Sequence, residues 1–226
     1  TSPQDAAPLI HHVLDQIGGQ IESWRREARM PNIASERRRA LRDRARTSAA
    51  SAVKLAETLV AWARQQPNMT EIRLASFRLM EARAKSVAGL HAPALAILDE
   101  IRQIPQIGND LALLDALGET HFEAALRQWD QDRPLSESQL SSLIESADYY
   151  DRILGGVEPD DDGTYPNQWW NAWMQRLRIN DILNEGTQDI PLRVKQLRLT
   201  DPNLGGEPYK SELERLENKY QLTRQS

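Results

Sequence analysis

Three groups of residues have the types and spacing for chemistry or recognition. The first is Trp169, Trp170 and Trp173, which place half of the six tryptophans within five residues. On a helix, Trp169 and Trp173 share one face and Trp170 points about 100° away. Such a cluster can line a recognition groove, since tryptophan is a favoured interface anchor, or it can pack one helix against its neighbours. The second group is basic. Residues 24–46 hold nine arginines against Glu27, Glu36 and Asp43, a local balance of +6. The third is acidic. Residues 145–162 hold seven carboxylates against Arg152, a balance of −6. A chain polarised in this way can steer and orient a charged partner, and charge says nothing of fold.

Other chemistry has less to stand on. With no cysteine in the chain, disulfides, thiol nucleophiles and cysteine-based zinc sites are excluded. His11 lies four residues before Asp15, which offers at most two ligands on one helix face. His91 and His121 sit near helix starts without a companion set of carboxylates or serines. Asp160-Asp161-Asp162-Gly163 could offer carboxylates to a divalent cation, but calcium loops alternate their ligands and end in a glutamate, and this run is contiguous. No Gly-rich phosphate loop follows a strand, and no nucleophile–base–orienter set is legible. No metal site, cofactor or catalytic residue is expected.

The elements that would position these groups are helices. The chain has 226 residues, a net charge of −5 and 40% hydrophobic residues, enough for one large domain or two small ones. No run approaches the ~18 apolar residues of a membrane span. Ala, Leu, Arg, Glu and Gln dominate, all good helix formers, and no segment alternates with period two. Breaks fall at Pro31-Asn32, Pro67-Asn68, Gly89, Pro105, Gly108-Asn109, Gly155-Gly156, Gly186 and Gly205-Gly206. Ser35 and Thr70 are candidate N-caps, and Ser136 with Gln139 has capping-box spacing. About nine helices follow, and short connections make neighbours antiparallel.

Residues 1–8 read as a linker or tail and 9–66 as a long helical hairpin. Its first helix carries Leu9, Val13, Ile17, Ile21, Trp24 and Ala28. Its second carries a heptad seam of Leu41, Ala45, Ser48, Ala52, Leu55, Leu59 and Trp62. That second helix, near 34–66, would be about 48 Å long. A further apolar edge (Ala49, Val53, Ala56, Val60) predicts packing on two sides beyond residue 48. Before it, the same edge carries Arg38, Arg42 and Arg46, which predicts an Arg-coated projecting tip. Arg37 and Arg44 would flank the seam while Arg39, Arg42 and Arg46 face outward, forming a collar.

Residues 70–221 read as stacked helix pairs, continuous with the hairpin. In residues 82–105, small Ala82, the turn Gly89, Ala94, inner-face Leu98 and Ile101 and closing Pro105 together resemble a tetratricopeptide repeat. Residues 146–159, with Ser146, Tyr150, Ile153 and Pro159, resemble the second half of another. Residues 168–202, from Gln168-Trp169-Trp170 through Gly186 and Leu197 to Pro202, resemble a third, and Leu204-Gly205-Gly206-Glu207-Pro208 with its following helix resembles a closing cap. The resemblance implies an all-α, right-handed solenoid of antiparallel helix pairs that binds or scaffolds other proteins, with no catalysis and no cofactor. Stacked pairs leave a concave groove open to a peptide or helix.

The expected function is therefore a non-catalytic interaction domain of a larger protein, the chain opening on Thr1. The candidate partner-binding residues are Trp169, Trp170, Trp173, Arg37, Arg38, Arg42 and Arg46. The partner is a protein or peptide, and a second copy is one option, its acidic 145–162 region meeting the basic 24–46. A polyanion-binding module using the Arg tip is the alternative, though no aromatic residue is interleaved there for base stacking. An all-helical metal-dependent enzyme is a third. Asp148-x-x-Asp151 and Asn180-Asp181-x-x-Asn184 resemble in part the metal motifs of terpenoid synthases, but Gln188 stands where the second motif would end in glutamate.

Overall fold

A computed structural model describes residues 3–30, 32–127, 129 and 133–222, without the side chains of 3–11, 15, 22, 29 and 222. The described residues form nine α-helices and no strand: α1 (Pro3–Arg29), α2 (Ser35–Arg64), α3 (Glu71–Val87), α4 (His91–Arg102), α5 (Leu111–Leu126), α6 (Glu137–Gly156), α7 (Asn167–Leu183), α8 (Ile190–Thr200) and α9 (Tyr209–Leu222), with a 3₁₀ turn at Thr187–Asp189. None is long and apolar enough to cross a membrane. Helix α1 begins at Pro3, so residues read above as tail belong to the first helix.

The chain divides into two compact units, Thr1–Asn109 and Asp110–Ser226. The division falls inside the segment read above as one repeat array. A turn of Ile104 to Gly108 closes the first unit, where the Gly108 N–H donates to the Ile104 carbonyl. Asp110 then opens α5, its carboxylate accepting the Ala112 and Leu113 N–H groups. Each of these devices ends or starts a helix by supplying partners the helix itself lacks.

In the first unit α2 packs on both α1 and α3, and α3 packs on α4. The two-sided packing moves the buried line of α2 away from the heptad seam. It runs through Leu41, Ala45, Ala49, Ala52, Ala56, Val60 and Ala63. Leu55 is exposed, and Ser48, Leu59 and Trp62 are only partly covered. A helix held between two neighbours buries the strip midway between their contact edges, and alanine there lets both approach closely. Trp62 instead meets Phe77 of α3 edge to face, with ring centroids 6.2 Å apart. Lys85 is buried on α3 and bonds Glu57 of α2 and Glu81 one turn back. Burial alone would lower its pKa, but these two carboxylates outweigh it and raise it. N-terminal to Ala45 only Leu41 of α2 is buried.

The second unit has α5 and α6 as an antiparallel hairpin, with α7 packed on both and α9 on α7 and α8. The capping box at Ser136 and Gln139 starts α6 with both reciprocal bonds formed. Pro191 sits in the first turn of α8, where its missing N–H costs nothing. Gly118 lets α6 come close to α5. The Ser146 hydroxyl donates to the Gly118 carbonyl at 2.7 Å, and the Tyr150 ring lies where a Cβ on Gly118 would be. Tyr150 is fully buried, and its hydroxyl has no hydrogen-bond partner. Burial, then the charges of Asp115, Glu119 and Glu123, push its pKa well above the usual phenol value, with Arg178 opposing. Tyr150→Phe is accordingly expected to be neutral or to stabilise by about 1 kcal/mol, because it deletes an unsatisfied buried group. Urea unfolding measures this, and a loss of more than about 1 kcal/mol would show that the hydroxyl is bonded.

Helix α9 is tied to α7 by the Arg178–Glu212 ion pair and by the Asp181 carboxylate. Lys219 Nζ lies 2.5 Å from Asp181 Oδ1, and the Tyr220 hydroxyl donates to the same oxygen. Burial would raise the Asp181 pKa, but the bonds from Lys219 and Tyr220 prevail and lower it. A lowered folded pKa gives stability that is complete above the unfolded value and lost as pH falls through the folded one. The stability gap between the native chain and Asp181→Asn should therefore be constant above the ordinary value of 3.8 and close below it. Thermal melts across the acid range read that gap.

Candidate interaction surface

No group of three or more His, Asp or Glu side chains among the described residues is arranged to hold a metal ion. The Asp160–Asp162 loop is tied to itself. The Asp160 N–H donates to the Thr164 carbonyl, the Gly163 N–H to the Asp160 carbonyl, and the Thr164 N–H and hydroxyl both to Asp162 Oδ1. Those two bonds from Thr164 hold the Asp162 carboxyl below its ordinary pKa. Of the two paired motifs, Asp151 bonds Arg176 and Asp181 anchors α9. His11 and Asp15 lie outside the described side chains. Arg176 Nε meets Asp151 at 2.9 Å, so this carboxylate serves the packing of α6 on α7.

The tryptophans sit in the core of the second unit. Trp169 and Trp170 are buried with Met174, Leu177, Val194 and Leu213. Tyr165 stacks on Trp169 at 3.9 Å, and Trp170 meets Trp169 edge on at 4.9 Å. Trp173 is partly buried, with the Arg193 guanidinium 5.1 Å above its ring. These positions give Trp169 and Trp170 the packing role of the two that their spacing allowed.

The arginines lie elsewhere, on the exposed first turns of α2. Ser35, Arg38, Arg39, Arg42, Asp43 and Arg46 line an open depression of about 440 Å³. Their spacing is that of one helix face, so these residues make a strip within the arginine collar, whose other members Arg37 and Arg44 are exposed off that face. The sequence explains the placement: Leu41 and Ala45 take the face toward the neighbours and leave the flanking, outward positions to arginine. Arg37 is off the strip and bonds Glu27 at 2.5 Å. Arg38 donates to the Met30 and Ile33 carbonyls at 3.3 and 3.4 Å, bracing the connection from α1. Arg46 pairs with Asp43 at 3.0 Å while remaining 82% exposed. Arg39 and Arg42 are exposed and take part in no ion pair or hydrogen bond among the described residues.

No family model, no curated protein and no solved structure matches this chain.

Function must therefore be read from the strip itself. Two open guanidiniums beside two held ones form a fork array suited to carboxylates or phosphates. The sequence made Arg38, Arg42 and Arg46 partner-binding candidates, placed Arg39 on the outward face without making it one, and gave Ser35 and Asp43 no binding role. The i, i+4, i+7, i+11 spacing of Ser35, Arg39, Arg42 and Arg46 was the available signal. Arg37 was named and belongs to the pairing between α1 and α2.

Proposed function

We propose that this chain is a non-catalytic interaction domain that binds an acidic protein segment on the Arg strip of α2. The observation that carries the proposal is the depression lined by Arg38, Arg39, Arg42 and Arg46, in which Arg39 and Arg42 are exposed and unpaired among the described residues. The helix pairs serve as scaffold. A tetratricopeptide-like stacking draws support in the second unit from α5 packing on α6 and α7 and from α7 packing on α9, while α8 packs on α9 and is no close partner of α7.

The magnitude sets the character of the binding. An exposed ion pair contributes ~0.2–1 kcal/mol, so four supply about 1–4 kcal/mol. That corresponds to millimolar affinity or weaker from the strip alone, so the contact is transient or is reinforced by further contacts. Titration of a labelled Glu/Asp peptide and a labelled single-stranded DNA, each over a range of salt, separates the readings. The proposal expects the peptide to bind and Arg39→Glu with Arg42→Glu to abolish it. Tight, steeply salt-dependent binding of DNA with none of the peptide would replace it with the polyanion reading.

A further inference from the structure

We infer that the acidic segment received by the Arg strip is that of a second copy of this chain. The inference rests on the preceding reading of the strip as a site for protein carboxylates, and it names the partner. Two observations lead to it. The strip has guanidiniums in excess of its local carboxylates: Glu27 is taken by Arg37, Asp43 by Arg46, and exposed Glu36 forms no ion pair or hydrogen bond among the described residues, so Arg39 and Arg42 stay open. The same chain carries a matching excess of the other sign. Glu145 and Asp148 are exposed on α6, and Glu158, Asp160 and Asp161 are exposed on the connection from α6 to α7. In that region Asp151 is engaged by Arg176 and Asp162 by Thr164, so the remaining carboxylates form the available face.

The two local balances, +6 over 24–46 and −6 over 145–162, are equal and opposite. A contact between strip and acidic face forms once between two copies in a heterologous assembly, or twice in a two-fold pair where each strip meets the other copy's acidic face. Each copy offers both an open strip and an open acidic face, so association joins copies in a reciprocal pair, a ring or an open array. In a reciprocal pair or a closed ring the second contact forms within an existing assembly, which supplies the reinforcement that a single weak strip lacks.

The sign of the interaction between molecules tests this directly. A chain of net charge −5 repels its copies in low salt, and added salt weakens that repulsion. Pairing of strip with acidic face gives the opposite behaviour, attraction in low salt that added salt removes. Static light scattering over a concentration series reads the sign as the second virial coefficient. The native chain should give a negative coefficient in low salt that turns positive by about 0.3 M NaCl, where screening is shorter than ~8 Å.

Arg39→Glu with Arg42→Glu should turn the low-salt coefficient positive, and so should Asp160→Lys with Asp161→Lys. An equal mixture of the two variants should recover attraction, because the intact strip of the loop variant then meets the intact acidic face of the strip variant. Arg64→Glu with Arg73→Glu changes net charge by as much as the strip variant, on exposed residues elsewhere. It should keep the native sign.

Repulsion of the native chain in low salt overturns the inference, as does a mixture that stays repulsive or a control that behaves like the strip variant. A native chain that repels its copies yet binds the Glu/Asp peptide refutes only the second-copy partner. Failure of both measurements refutes the acidic-segment reading as well.

Discussion

Gly205→Ala is expected to cost the second unit about 3 kcal/mol, against about 1 kcal/mol for the same change at Gly206. Both glycines have left-handed backbones, with φ of +75° and +78°. An alanine pays a steric strain of ~1–2 kcal/mol at either. Their surroundings differ. A Cβ at Gly205 would stand 2.4 Å from Trp170 Cγ and 2.5 Å from its Cδ2, while one at Gly206 meets nothing within 4 Å. Trp170 cannot yield, because it is buried against Trp169 and the α8–α9 layer. Overpacking of this kind costs ~1–3 kcal/mol on top of the strain. The turn is otherwise held by Asp201, whose carboxylate accepts the Asn203 and Gly205 N–H groups. Trp170→Leu should remove most of the difference between the two alanine variants, since residues in contact are non-additive. Denaturant midpoints for the five chains measure this. Equal costs at Gly205 and Gly206 would mean that the indole does not lie against the turn.

Gly118→Val is expected to destabilise the same unit by about 3 kcal/mol. The Cβ alone would lie 2.9 Å from Tyr150 Cε1 and Cζ, and the two methyl groups extend further. Tyr150 is fully buried, so its ring has no exposed direction in which to swing. The close approach also carries the bond from Ser146 to the Gly118 carbonyl, which a displaced α6 would lengthen. Tyr150→Leu in the valine background should recover at least about 1 kcal/mol, the coupling expected of residues in direct contact. Thermal or urea melts read both effects. A valine variant as stable as the native chain would place α6 farther from α5 than the structure does.

Much of the local architecture was legible because it depends on near neighbours in sequence. Thr70 caps α3, and Ser136 with Gln139 forms the expected box. Gly89 turns between α3 and α4 in a left-handed conformation. What the sequence hid depends on distant partners. The buried line of α2 shifted because α1 and α3 grip it together, which no property of α2 alone announces. Ser35 has cap chemistry, yet α2 starts at that residue and Ala34 takes the cap position without a side-chain bond. Lys85 falls on a buried face and is tolerated because Glu57 arrives from another helix.

The candidate site divides in the same way. The arginine excess and its helical spacing were visible in residues 35–46, so the strip could be located. Which arginines are spent was not. Arg37 finds Glu27 and Arg38 finds two carbonyls of the connection only once α1 and α2 are folded together. Trp169 and Trp170 had spacing for either a groove or a core, and their burial rests on residues up to Leu216, more than 40 positions away. A side chain's exposure is a property of everything that packs on it, so spacing alone could not decide it.

The central claim is that Arg39 and Arg42 bind acidic protein through their placement and not through the charge they add. Titrating the labelled Glu/Asp peptide with three chains tests it most directly: the native protein, Arg39→Glu with Arg42→Glu, and Arg64→Glu with Arg73→Glu. The two variants carry the same net charge. The account predicts that the strip variant weakens binding at least about tenfold while the control stays within about threefold of native, because like charges set opposite one another oppose docking directly. Equal weakening by the two variants, or none by either, would contradict it.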